Sequence, residues 1–265
     1  MTTRSGDPAI FLFCALPCEA KPLVAHFRLK KNLASQIFAQ YSNGEVSLTV
    51  TGVGKTAMAA GVGYTMALST TRTHPILVNV GVAGHRQHDL GEIFTAEKIT
   101  DADSGRNHYP PLVARQPGAT ATITTVSSPH LEYREDCLYD MEASAFYESA
   151  ARFTTGELIQ CLKVISDNAA SPAANIRAKQ VSKLLAGSSA ALQALLGEMT
   201  PLDEIQLPRD LHITSSQRNI LHKQLSRYQV LSNGDLPDFS NIHWRTSKEL
   251  LQWLAVEIEN IPVVL

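Results

Sequence analysis

The chain has 265 residues, of which 44% are hydrophobic, and a formal net charge of −2. That length fits one large α/β domain, or one such domain with a small appendage, and it supplies ample material for a core. The near-balanced charge argues against a broad electrostatic footprint for nucleic acid, and no apolar run approaches the length of a transmembrane span.

Ala9 to Leu16 is a short apolar run with Asp7 just before it. Pro17-Cys18-Glu19 makes a poor cleavage region, so the run reads as a first buried strand rather than a signal-peptide core. Ile37 to Tyr41 and Val46 to Thr51 read as two further strands joined by a hairpin turn at Ser42-Asn43-Gly44. Thr51-Gly52-Val53-Gly54-Lys55-Thr56 then opens a helix over Lys55 to Ser69 and invites a P-loop reading. The glycine that begins the full pattern is replaced by Thr49, so both glycines are assigned to a tight strand-to-helix turn. Ile76 to Val80 is a continuous apolar run that ends in a second glycine turn, Gly81-Val82-Ala83-Gly84.

Glu92 to Ile99 and the threonine-rich Thr120 to Val126 are strand candidates; Glu142 to Phe153 reads as a helix and Leu158 to Ile165 as a strand. Ala174 to Met199 reads as a long helix with an interruption at Gly187. Strands alternating with helices, plus one early hairpin, imply an α/β fold: a three-layer α/β/α sandwich with a mixed central sheet. Composition changes after Thr200-Pro201. Residues 201–265 read as a small helical extension, with helices at Gln217 to Val230, capped by Ser215 or Ser216, and at Lys248 to Glu259, capped by Ser247. The expected division is therefore a main domain over residues 1–200 and the extension over 201–265.

The four cysteines, Cys14, Cys18, Cys137 and Cys161, show neither paired zinc spacing nor a dense disulfide framework. They read as reduced thiols of a cytoplasmic protein. His85 and His88 have no accompanying ligand cluster and read as loop histidines, so no metal site is expected.

Two acidic segments carry the chemistry: Asp140-Met141-Glu142-Ala143-Ser144-Ala145-Phe146 and Ile165-Ser166-Asp167-Asn168-Ala169. A carboxylate at the exit of a buried strand lies where open α/β sheets place ligands. Two such groups in one pocket can divide a reaction, one handling a sugar or water and the other a leaving group. Taken singly, the acids at Asp140 and Glu142 also suit a helix N-terminus, Ser166 or Asp167 suits a helix cap, and Glu19 suits a solvated loop.

With Ala15-Leu16-Pro17-Cys18-Glu19, these segments resemble the purine nucleoside phosphorylase superfamily, and within it they look closest to the methylthioadenosine/S-adenosylhomocysteine nucleosidases. The resemblance covers roughly residues 9–200. It implies that Glu19 activates water, that Glu142 accepts hydrogen bonds from ribose hydroxyls, and that Met141 packs against the sugar. Val82, Ala83 and Gly84 would lie under the ribose and the water site. Asp167, beside Ser166, would act as the general acid at purine N7, and aspartate there leans toward adenine-type bases.

The chain departs from the pattern at Asp140, where these nucleosidases often carry glutamate, and in the short segment Asp101 to Tyr139, which family members use to contact the base. Asn79 and Val82 stand where phosphorolytic members hold phosphate with arginine and serine or threonine, and the phosphate-binding loop is missing from Ala15 to Leu23. A desolvated phosphate dianion needs cationic or multiple N–H partners, so water is favoured over phosphate. The expected activity is hydrolysis of the N-glycosidic bond of a purine nucleoside, a 5′-modified adenosine, with no cofactor and no metal. The expected partners are the nucleoside and a second copy of the chain in a homodimer, with no nucleic acid and no membrane. The rivals are phosphorolysis and a catalytically weak nucleoside-binding module.

Overall fold

The computed structural model describes residues 9–69, 74–112, 114–129 and 132–199, then 211, 217, 220–221, 224–225, 227–228, 231–232, 237, 239 and 244–261. The chain opens with β1 (Ile10–Cys14) and a helix that sequence patterning did not anticipate, α1 (Pro17–His26). Pro17 starts it with a φ already suited to a helix. Pro22 inside it removes a backbone donor, and the Cys18 carbonyl left over accepts the Ser182 hydroxyl at 2.6 Å instead.

β2 (Lys30–Lys31), β3 (Ala39–Ser42) and β4 (Val46–Val50) follow, with the predicted hairpin between β3 and β4. Asn43 Oδ1 accepts the Glu45 and Val46 amides at 2.9 and 2.8 Å, and Gly44 holds φ 97°. α2 (Lys55–Leu68) begins at the expected turn, where Gly52 and Gly54 have φ of 92° and 97°. β5 (Ile76–Gly84) corrects one reading. Its backbone stays paired to the last strand through Gly84, so Gly81-Val82-Ala83-Gly84 is strand and not turn.

The remaining elements are β6 (Ile93–Asp101), β7 (Asn107–His108), β8 (Ala119–Thr125), β9 (Leu138–Asp140), α3 (Ala143–Ala150), β10 (Ile159–Asp167) and α4 (Ala178–Glu198). α4 runs unbroken through Gly187, and a short 3-10 turn at Ala173–Asn175 precedes it. α5 (Ser247–Asn260) is capped by Thr246 rather than Ser247: the Thr246 hydroxyl accepts the Glu249 amide at 3.2 Å. The Ser215/Ser216 caps and parts of the 217–230 helix lie outside the described residues.

The sheet is mixed, as expected. β1 pairs in parallel with β4 and with β5, and β5 pairs in parallel with β10. β10 then runs antiparallel to β6, β6 parallel to β8, β8 parallel to β9, and β9 returns to β5 at Gly84 and Tyr139. Part of the sheet thus closes on itself, with register shifts at Ala96/Lys98 and Ile165/Asp167 where the strands bend.

Alternation along β1 explains the layers. Phe11 and Phe13 point to a core with Met58, Val62 and Phe146, under α2 and α3. Leu12 and Cys14 point to the opposite core with Leu23, Leu185 and Leu192, under α1 and α4. Leu221, Leu225, Leu250, Leu254 and Ile258 form a separate cluster beyond residue 200.

Gly61 is where α2 approaches the end of β4 most closely. A Cβ there would stand 3.0 Å from Thr51 Cβ and closer still to its methyl group, while the Thr51 hydroxyl is bonded to the Gly52 carbonyl at 2.9 Å. Helix propensity alone would make Gly61→Ala stabilising by up to about 1 kcal/mol. Overpacking is expected to win and to destabilise by about 1–3 kcal/mol, read as a lower urea midpoint with unchanged m-value.

Candidate active site

The C-terminal ends of β5 and β10, the start of α1, the turn before α2 and the start of α3 surround one cavity of about 160 Å³. Glu19, Val82, Ala83, Gly84, Met141, Glu142, Ser166 and Asp167 all line it, so every candidate residue is brought to one place. Leu16, Val53, Val126, Pro129, Tyr139 and Ala173 complete much of the wall. Within the short Asp101 to Tyr139 segment, which the resemblance assigns to base contact, residues 104–109 do not line the cavity.

Glu19 is not a loop carboxylate. It sits on the first turn of α1, 3% exposed, where its Oε2 accepts the Leu16 amide at 2.8 Å and its Oε1 accepts the Val82 amide at 3.1 Å. Gly81 makes this possible, because a Cβ there would stand 3.0 Å from Glu19 Oε1. The glycine makes room for a carboxylate rather than for a ligand. Burial pushes the Glu19 pKa up, against the pull of the amides and of Lys163.

Glu142 lies across from it at the start of α3, and its Oε1 accepts the Gly54 amide at 2.8 Å. Burial raises its pKa to about 7; Lys163 opposes that shift and Asp140 adds to it. A raised carboxyl pKa makes ionisation unfavourable to the fold. The contribution of Glu142 to stability is therefore best below its unfolded value near 4.5 and declines as pH rises through about 7.

Lys163 is the residue that sequence reasoning missed. It is 1% exposed in β10, and its Nζ stands 2.8 Å from Asp140 Oδ2. Burial opposes its charge, but Asp140 and Glu142 outweigh burial and hold its pKa above the usual lysine range. A signal was present: alternation places Lys163 on the same strand face as Cys161 and Ile165, which are buried. Asp140 acquires a definite role as well. Its Oδ2 accepts the Ala143 amide at 2.8 Å at the head of α3, and its Oδ1 accepts the Thr125 hydroxyl at 2.7 Å.

At the other end, Asp167 closes β10. Its Oδ1 accepts the Ser166 hydroxyl at 2.5 Å and its Oδ2 accepts the Tyr133 hydroxyl. No helix starts there, which removes the capping explanation. Asn168 makes the turn instead, its Oδ1 accepting the Ala170 and Ser171 amides at 3.0 and 2.9 Å. His85 is buried rather than loose; its Nδ1 accepts the Gln87 and His88 amides, each at 3.1 Å. Among the described residues, no group of three or more His, Cys, Asp or Glu side chains could hold a metal ion.

The arrangement has two chemically distinct ends. Glu19, Asp140 and Glu142 surround one lysine, so carboxyl groups outnumber the cation where a positive charge could develop. Asp167 and Ser166 form a separate polar pair at the far wall. Lys163→Met should leave Asp140 buried without its counter-ion and destabilise the protein by about 3–5 kcal/mol. Urea unfolding measures this directly, and a loss below about 1 kcal/mol would show that the pair does not anchor the site.

No protein-family model matches the chain, and no curated protein matches it. Solved structures do. The apo structure of Arabidopsis thaliana 5′-methylthioadenosine nucleosidase is similar with a TM-score of 0.62 at 14% identity, covering 76% of this chain and 100% of that one. The 5′-methylthioadenosine/S-adenosylhomocysteine nucleosidase from S. pneumoniae, with a transition-state inhibitor, has a TM-score of 0.56 at 18% identity, covering 72% and 99%. That from Colwellia psychrerythraea, in complex with adenine, has a TM-score of 0.56 at 16% identity, covering 74% and 98%. The chain therefore has the nucleoside phosphorylase-like fold of these nucleosidases, the fold that Glu19, Glu142 and Asp167 suggested.

Proposed function

We propose that the protein hydrolyses the N-glycosidic bond of a purine nucleoside, a 5′-modified adenosine. The observation that carries this reading is the convergence of Glu19, Glu142 and Asp167 on one cavity, with the first two gathered around Lys163 and the third apart from them. In this reading Glu142 accepts hydrogen bonds from the ribose hydroxyls while Met141 packs against the sugar. Glu19 takes a proton from the attacking water. Its raised pKa makes it a stronger base than an exposed carboxylate. The bond from the anomeric carbon to the purine breaks with its electron pair moving onto the base, and Asp167 delivers a proton to N7. The excess of carboxylates supports the positive charge of the oxocarbenium-like transition state.

Water is favoured over phosphate because no lysine, arginine or histidine among the described residues lines the cavity. The apolar wall at Leu16, Val53, Val82 and Met141 suits a 5′ substituent without charge. The same reading makes the protein a cytoplasmic homodimer, in keeping with four free cysteines. Its catalytic unit spans residues 1–200 and the helical extension residues 201–265; the separate leucine cluster supports that boundary. One observation favours a binding module instead, namely that the Tyr133 hydroxyl is seated on Asp167.

Incubation with a panel of nucleosides, with and without phosphate, decides among these readings. Free adenine should appear from 5′-methylthioadenosine at a rate independent of phosphate. Release that requires phosphate would establish phosphorolysis, and binding without release would establish the module. Asp167→Asn should slow turnover by about 10²–10⁴-fold while binding survives better than catalysis.

The pH profile gives a further expectation. Glu142 must be ionised to accept from two ribose hydroxyls, so kcat/KM should rise with pH through about 7. Glu142→Gln should remove that limb and cost about 1.5–3 kcal/mol in kcat/KM at neutral pH. An unchanged profile in the variant would take Glu142 out of ribose binding.

A further inference from the structure

We propose that Tyr133 occupies the leaving-group end of the cavity and competes with the purine for Asp167, so that a base binds only when Tyr133 is displaced. The inference rests on the reading of Asp167 as the group that meets the base. Tyr133 is a specificity-determining residue in this account, since any base must outcompete a phenol that the chain itself supplies.

Both oxygens of Asp167 are already engaged from inside the protein, Oδ1 by the Ser166 hydroxyl and Oδ2 by the Tyr133 hydroxyl. With Tyr133 in place, neither oxygen of Asp167 is left open to purine N7. Burial, followed by the hydrogen bond to Asp167, pushes the phenol pKa well above the usual tyrosine value, so the proton stays on the phenol oxygen.

The ring also takes the space. Tyr133 is 3% exposed, and a Cβ added at Gly84 would collide with Tyr133 Cε1 and Asp167 Oδ2 together. The volume opened by the missing side chain at Gly84, itself part of the cavity wall, is therefore filled by the phenol and the carboxylate. The remaining cavity of about 160 Å³ falls below the roughly 300–1,000 Å³ of ordinary ligand pockets.

The backbone at Tyr133 is strained. Its φ is 40°, in the left-handed region that side chains other than glycine rarely adopt. Such a conformation persists only where its surroundings hold it. Here the holding contacts are Tyr139, with ring centroids 6.0 Å apart, and the His85 Nε2 to Asp136 Oδ1 contact at 3.1 Å just along the chain. The seated state therefore depends on those contacts, and a base that takes Asp167 has to compete with them.

When only a fraction of molecules has Asp167 free, apparent affinity is reduced by that fraction. Removing the phenol hydroxyl should restore it. The test is calorimetric titration of free adenine into wild type, Tyr133→Phe, Asp167→Asn and the double variant. Tyr133→Phe keeps the ring and loses one charge-assisted hydrogen bond, so adenine should bind on the order of ten- to hundredfold more tightly than to wild type. In the Asp167→Asn background the same substitution should gain clearly less, a coupling that a general effect on folding would not produce. If wild type binds adenine and Tyr133→Phe binds it equally or more weakly, the competition is overturned while the proposed function stands. If neither binds adenine, the purine reading of the site falls and the competition falls with it.

Discussion

Lys163 and Asp140 form an ion pair with side chains 1% and 0% exposed, and the geometry of the candidate site depends on it. The lysine comes from the middle of β10, and the aspartate ends β9. Through its other contacts Asp140 also holds Thr125 of β8 and the first amide of α3. One carboxylate thus ties together three strands and a helix at the point where the sheet closes on itself. A pair of this kind adds little net stability over a well-packed apolar alternative, because desolvating both charges is costly. Its consequence is geometric: neither partner can move without stranding the other in a low-dielectric interior.

The charge balance follows from the same pair. Lys163 holds a positive charge among Asp140, Glu142 and Glu19, and burial works against every carboxylate that remains unmatched. Glu19 is therefore fixed by amides from Leu16 and Val82, and Glu142 by the amide of Gly54. Gly54 can supply that amide because its φ of 97° is open to glycine. The turn that resembles a phosphate-binding loop in sequence is used here to hold an acid.

Much of this was legible in the sequence, and the failures have physical causes. The mixed α/β sheet could be read because strands and helices alternate with distinct hydrophobic periods, and the residues lining the cavity could be read because their short motifs are specific. α1 was hidden by Pro17 and Pro22, which look like breakers until the Ser182 hydroxyl is seen to take up the freed carbonyl. Gly81 and Gly84 suggested a turn, yet both lie in a paired strand and leave space for Glu19 and for Asp167 with Tyr133. Lys163 is a lone charge in an apolar run, and its meaning depends on a partner from β9. Tyr133 could not be read at all. It lies in a segment with no period, and its partner is the last residue of a strand formed later in the chain.

The central claim is that a buried, mutually dependent charge cluster sets the protonation of the site. The most direct measurement is an NMR titration of the Glu142 carboxyl carbon in the wild-type protein, with the apparent midpoint assigned to the interacting cluster. The account predicts a midpoint near pH 7, above the ordinary value of 4.5. A midpoint at the ordinary value would show that Glu142 is neither desolvated nor part of the cluster, and would contradict the account.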